Sequence, residues 1–86
     1  MQVEVHPRIA QRHPEITEAD VLAAVENCLR ARPRDTDPVQ WAGVGVDGSA
    51  RLVQFVAVEL DGDPDRWLVF HSMPATDKMM REVGLR

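Results

Sequence analysis

Three runs rich in valine and aromatic residues, 39–46, 51–60 and 66–73, fill most of the second half of the chain. Two turn signals separate them, so few arrangements are open. Asp47-Gly48 supplies a pair that tolerates positive φ, and residues 61–65 (Asp-Gly-Asp-Pro-Asp) read as a longer acidic turn. Strands joined this way form an antiparallel meander. In the middle run Val53, Phe55 and Ala57 alternate with Leu52, Val56, Val58 and Leu60, which makes both faces largely apolar. Such a strand must be covered on both sides, either by helices on one face and a partner on the other or by a strongly coiled sheet.

The first half carries helical signals. Met1 to Val5 alternates like a short edge strand before His6-Pro7 breaks the pattern, and residues 8–13 can make two turns of helix before Pro14. Thr17 followed by Glu18, Ala19 and Asp20 resembles a capping box, and Ile16 is placed to staple onto Val21. From there Val21, Leu22, Val25, Cys28 and Leu29 fall on one helical stripe. The expected helix continues to Pro33, with Arg30 and Arg32 suiting the negative pole of its dipole. Met79, Met80 and Val83 give a short last helix its apolar side, and Gly84 is its stop. The expected order is therefore β-α-α-β-β-β-α, a single α+β domain over residues 1–86 with a small antiparallel sheet packed against helices.

Eighty-six residues support one thin core, in which roughly 60 to 65% of the unfolded surface is buried. Hydrophobic residues at 44% and charged residues at 28% describe a globular domain. No apolar run reaches membrane-span length and no secretory pattern opens the chain, so a cytoplasmic protein without a membrane role is expected. Cys28 is the only cysteine, which excludes an internal disulfide, and its apolar helical setting reads as a buried thiol. The net charge of -4 repels polyanions, so any contact with nucleic acid must rest on a local patch.

Taken together, the order of elements and several short motifs resemble the RelE and BrnT group of small bacterial toxins. His6, Arg12, Ile16, Glu18 and Val21 are similar in spacing to the opening of BrnT-like proteins. The tail, His71-Ser72-Met73-Pro74-Ala75-Thr76-Asp77-Lys78, resembles the BrnT segment in which a last strand ends in Ser-Ala-Arg and continues into Ala-Thr and a charged helix. Two departures stand out: Met73 occupies the place of that arginine, and Ser49-Ala50-Arg51 replaces the Gly-Arg often found between central strands. The resemblance implies a RelE-like fold and a toxin-like ribonuclease, an mRNA interferase of a type II toxin-antitoxin pair. Its partners would be a cognate antitoxin and mRNA or the ribosome.

Metal-independent RNA cleavage needs a base for the 2′-hydroxyl, an acid for the leaving oxygen and cations on the phosphate. His71 is the best titrating candidate, at the corner where the last strand meets the last helix. Arg51 has the guanidinium geometry to grip a phosphate, and Lys78 and Arg81, three apart on one helix, share a face. These make His71, Arg51 and Lys78 the expected catalytic set, with Arg8, Arg12 and Arg81 on RNA. The plainer reading puts His71 half-buried on the face of Trp67, Val69 and Met73, and pairs Arg51 and Arg66 with neighbouring acids such as Asp47 and Asp65. Arg8 and Arg12, with His6 and His13 nearby, form a patch that touches RNA or pairs with acids of this chain or an antitoxin.

The three histidines lack a fourth ligand, so no metal site and no cofactor is expected. Asp61, Asp63 and Asp65 imitate a calcium loop, but Arg66 and Ser72 occupy the places of its glycine and bidentate glutamate. The alternative to a ribonuclease is a non-catalytic module on the same fold, homodimeric or partner-binding. The acidic charge, Met73 and the two-sided apolar strand favour that alternative.

Overall fold

The structure, a computed structural model, describes all residues from Met1 to Arg86. Its elements are β1 (Gln2–Val5), α1 (Arg8–Arg12), α2 (Glu18–Glu26), β2 (Cys28–Pro33), β3 (Trp41–Val46), β4 (Leu52–Leu60), β5 (Asp63–Pro74) and α3 (Asp77–Glu82). The five strands form one sheet in the order β1-β5-β4-β3-β2. Only β1 and β5 are parallel; the remaining pairs are antiparallel. The class is α+β, as the sequence patterns predict, with one strand more than expected.

Alternation along β4 sets the layers. Val53, Phe55 and Ala57 join Ile9, Ile16, Val21, Ala24 and Val69 in a core beneath α2. Val56 points the other way, into a second core with Ala42, Val44, Met79 and Val83 beneath α3. The two-sided apolar strand is therefore covered by helices of its own chain on both faces. Close approach makes the first layer possible: a Cβ on Gly45 would collide with the carbonyl of Ala24, so α2 packs directly on the backbone of β3.

The helix beginning at Thr17 starts as its sequence predicts. Thr17 Oγ1 accepts from Asp20 N at 3.1 Å and Asp20 Oδ2 accepts from Thr17 N at 2.9 Å. Ile16 and Val21 are both buried in the same core. Its end differs from expectation. The helix stops at Glu26, and residues 28–33 become an edge strand paired with β3. Asn27 caps the helix by donating to Ala23 O, while its own carbonyl accepts from Val46 N at 3.2 Å and starts the new ladder. Pairing along β3 outweighs the helical stripe, since propensity and periodicity yield to tertiary hydrogen bonding. Leu29 is consequently about half exposed and Cys28 is exposed rather than buried.

The turns also differ in detail. Positive φ falls on Ala50 rather than Gly48, because Asp47 organises the five-residue loop by accepting from Ser49 N and Arg51 N through Oδ1. The next turn is only Asp61-Gly62, both at positive φ, so Asp63, Pro64 and Asp65 belong to β5. Pro64 is tolerated because β1 begins pairing with β5 only at Arg66.

Candidate functional site

A bulge in β5 decides which residues meet. Ala57 pairs with Val69 and Val56 with His71, so Phe70 is an extra residue between consecutive positions of β4. A bulge of this kind interrupts alternation and re-aims the side chains after it. His71 therefore lies on the face of Val56 and α3, together with Met73 and Gln54, and not with Trp67 and Val69 as strict alternation predicts. Arg8 uses the irregularity, donating from Nε to Phe70 O at 3.0 Å while its guanidinium lies 5.7 Å from the centre of the Phe70 ring.

The result is a cleft of about 350 Å³ on the α3 face. Arg8, Arg34, Gln54, Val56, Phe70, His71, Thr76, Lys78, Met79 and Glu82 line it. Its floor is an ordered polar network. Gln54, buried in the middle of β4, accepts through Oε1 from Thr76 N at 2.9 Å and from Thr76 Oγ1 at 3.0 Å. A backbone N–H can only donate, so the oxygen of this amide must face Thr76 and its nitrogen must face His71. The Gln54 Nε2 to His71 Nε2 distance is 3.1 Å. Gln54 is the donor there, His71 Nε2 is the acceptor, and the proton of the neutral ring sits on Nδ1. Thr76 Oγ1 in turn accepts from Met79 N at 3.2 Å, which ties the network to the start of α3.

The electrostatics agree with a neutral ring. Burial pushes the His71 pKa below its ordinary value, and His13 when protonated, with the guanidinium charges of Arg34, Arg8 and Arg12, pushes it further down. Acids near the cleft are matched. Glu82 accepts from Arg34 Nε at 2.7 Å and from Arg34 NH2 at 3.0 Å, a two-point contact that holds its carboxyl below the usual range. Asp77 pairs with Arg86 at 2.8 Å. Arg8, Arg12 and Lys78 take part in no ion pair, so the mouth of the cleft keeps a surplus of positive charge despite the acidic chain.

Of the expected catalytic set, His71 and Lys78 come together and Arg51 does not. Arg51 donates from Nε to Asp47 Oδ2 at 2.9 Å, and from NH2 to Asp20 Oδ2 and the Glu15 carbonyl, each at 3.2 Å. It clamps the β3–β4 loop to the start of α2, and its bonds hold the carboxyl of Asp47 below the usual range. Of the expected RNA contacts, Arg8 lines the cleft, Arg12 lies near enough to act on His71, and the exposed Arg81 is not among the lining residues. Arg66 pairs with Asp61 at 3.3 Å and Glu4 at 3.9 Å rather than with Asp65.

Sequence reasoning missed Gln54, Thr76, Arg34 and Glu82. Gln54 carried a signal: a lone amide inside an apolar central strand is more telling than the valines around it. Arg34 and Glu82 are 48 positions apart and carried none.

The opposite face holds an apolar groove of about 250 Å³ beside α2, lined by Met1, Val3, Val25, Cys28, Ala31, Trp41, Phe55, Ala57, Trp67 and Val69. The rings of Trp41 and Trp67 meet edge-on at 6.4 Å. Cys28 Sγ approaches the Arg30 carbonyl at 3.3 Å, and although the residue is exposed, partial desolvation of the thiol against the apolar groove pushes its pKa up, which disfavours the reactive thiolate.

These features define an α+β protein with a cationic, histidine-bearing cleft where the last strand meets the last helix. Comparison with protein-family models, with curated proteins and with solved structures finds no match. No helix is long and apolar enough to cross a membrane.

Proposed function

We propose that the α3-face cleft binds the phosphodiester backbone of RNA and that the protein is a toxin-like ribonuclease, an mRNA interferase of the type II toxin-antitoxin kind. The observation that carries this reading is the meeting of Arg8 and Lys78, both without acid partners, with a half-buried neutral histidine in one cleft. The resemblance of the His71–Lys78 tail to BrnT-like proteins supports it. Phosphate oxygens would lie between the Arg8 guanidinium and the Lys78 ammonium, with the Nδ1–H of His71 as a neutral donor. Arrayed donors of this sort stabilise the charge that builds on phosphate during attack by a neighbouring 2′-hydroxyl.

Purified protein incubated with RNA, with and without ribosomes, tests the reading. Cleavage is expected, together with growth arrest on induced expression that is relieved by combining Arg8→Ala with Lys78→Ala. Intact RNA in both conditions and harmless expression would remove the enzymatic reading.

A second reading rests on a different observation: the apolar groove and the edge strand β2, all six of whose residues are exposed. It makes the protein a partner-binding or homodimeric module on the same scaffold, and an antitoxin would be one such partner. Sedimentation showing a concentration-independent monomer, with no partner retained in pull-down, would count against it.

A further inference from the structure

Deepening the ribonuclease reading and resting on it, we infer that His13, backed by Glu15, is the proton acceptor of the reaction, and that His71 acts as a hydrogen-bond donor to the phosphate. The His13 and His71 rings lie 6.4 Å apart, edge to face at 89°. One nucleotide's 2′-hydroxyl and phosphate can touch both rings at that spacing. The two histidines present opposite chemistry. His71 Nε2 is occupied by the Gln54 amide, which leaves an N–H and no free lone pair. His13 Nδ1 lies 3.5 Å from Glu15 Oε1, longer than a hydrogen bond, and the nearby carboxylate favours the neutral tautomer with its proton on Nδ1 and its lone pair on Nε2. A carboxylate behind a histidine fixes the tautomer and stabilises the imidazolium that forms when the ring takes a proton.

The backing is itself anchored. Arg51 NH2 holds the Glu15 carbonyl at 3.2 Å, and His13 N donates to Ile9 O at 2.8 Å at the end of α1. Arg51, expected on the phosphate from sequence, becomes a positioning residue for the segment that presents His13. Around the two rings the charged groups are Glu15, Arg8, Arg12 and Arg34, with Lys78 and Glu82 in the same cleft.

The step balances without a further reactant. The 2′-O–H bond breaks and its proton passes to His13 Nε2. The 2′-oxygen then bonds to phosphorus as the bond from phosphorus to the 5′-oxygen breaks, and the departing oxygen takes a proton from the Lys78 ammonium. A 2′,3′-cyclic phosphate and a 5′-hydroxyl result. His13 then gives its proton to water, and Lys78 recovers one from water.

The test compares wild type with His13→Gln, Glu15→Gln and His71→Asn on a single-stranded oligoribonucleotide, with nitrogen-15 NMR of the histidine rings to read tautomers. His13→Gln is expected to lower kcat/KM by about 10²- to 10⁴-fold and abolish the acidic limb of its pH profile, while RNA affinity is retained. Glu15→Gln is expected to cost about tenfold in kcat/KM with RNA affinity retained, because the imidazolium that forms loses its carboxylate. His71→Asn, which keeps a donor near Nδ1, is expected to stay within about tenfold of wild type. NMR is expected to show the neutral His71 ring protonated on Nδ1. If wild type cleaves RNA while His13→Gln matches it and His71→Asn is inactive, the inference falls and the ribonuclease reading stands. An inactive wild type overturns both.

Discussion

The two faces of the central strand are built from adjacent residues and do different work. Beneath α2, Val53, Phe55 and Ala57 meet helix and loop residues in a core whose buried polar side chains are tied off: the Ser72 hydroxyl donates to Gln54 O at 2.8 Å, and Asp47 at the rim accepts from Ser49 N, Arg51 N and Arg51 Nε. Beneath α3, Gln54 and Val56 leave an opening in which an amide, a threonine and a histidine are locked in one hydrogen-bonding order. A single inserted residue, Phe70, separates these outcomes by sending His71 to the polar side. The apolar face holds the fold together, and the freedom to carry chemistry belongs to the other.

The largest effect is expected on the packed face. Gly45→Ala drives a methyl group into the Ala24 carbonyl, and because backbone cannot swing aside the loss should be about 3 kcal/mol in urea unfolding. A near-neutral result would mean that α2 does not sit directly on β3. Next comes the polar face, where Gln54→Ala strips partners from Thr76 and His71 at once. A loss of about 2 kcal/mol is expected, together with a rise in the His71 pKa once Nε2 no longer faces an N–H. An unchanged titration of the His71 ring by NMR would contradict the tautomer assigned above.

Charge separates the faces further. Arg8→Ala and Lys78→Ala should each weaken binding of single-stranded RNA and reduce the slope of log affinity against log salt by about 0.7. Arg51→Ala should lower stability while leaving that slope unchanged, because its guanidinium is spent on Asp47 and Asp20. Equal slope changes from all three would dissolve the distinction between the faces.

The smallest effect is on stability against pH. The folded pKa of His71 lies below its ordinary value of 6.5, so between the two the unfolded chain binds more protons. Stability should therefore fall as pH drops through and below 6.5, and His71→Leu should flatten that decline. Asp47 and Glu82, whose pKa values are also depressed, add a further loss as pH falls below the ordinary carboxylate values of 3.8 and 4.5. Thermal melts from pH 7 to 3 separate the two phases.

Much of this architecture is legible in the residues because local rules and global packing agree there. The Thr17–Asp20 cap, the Ile16–Val21 contact, the meander and the two-sided β4 all rest on short-range patterns. Residues 28–33 misled because a helical stripe over Val21, Leu22 and Val25 runs on by chance into Cys28 and Leu29, whereas pairing with β3 is a long-range matter. The site is legible in part for the same reason. His71 and Lys78 are seven positions apart at a visible strand-to-helix corner, but the bulge that turns His71 towards α3 leaves no mark in composition. For Arg51 the pairing with Asp47, four positions away, was legible as the plainer reading, whereas its contact with Asp20, 31 positions away, was not.

The most direct test is a chemical-shift titration of the labelled protein with a short single-stranded oligoribonucleotide at low salt. The account predicts shifts confined to the cleft and its rim, at Arg8, His13, Arg34, Gln54, His71, Thr76 and Lys78, which recede as salt is raised. Shifts centred on Trp41 and Trp67 in the apolar groove, or no salt-sensitive shifts at the cleft, would contradict it.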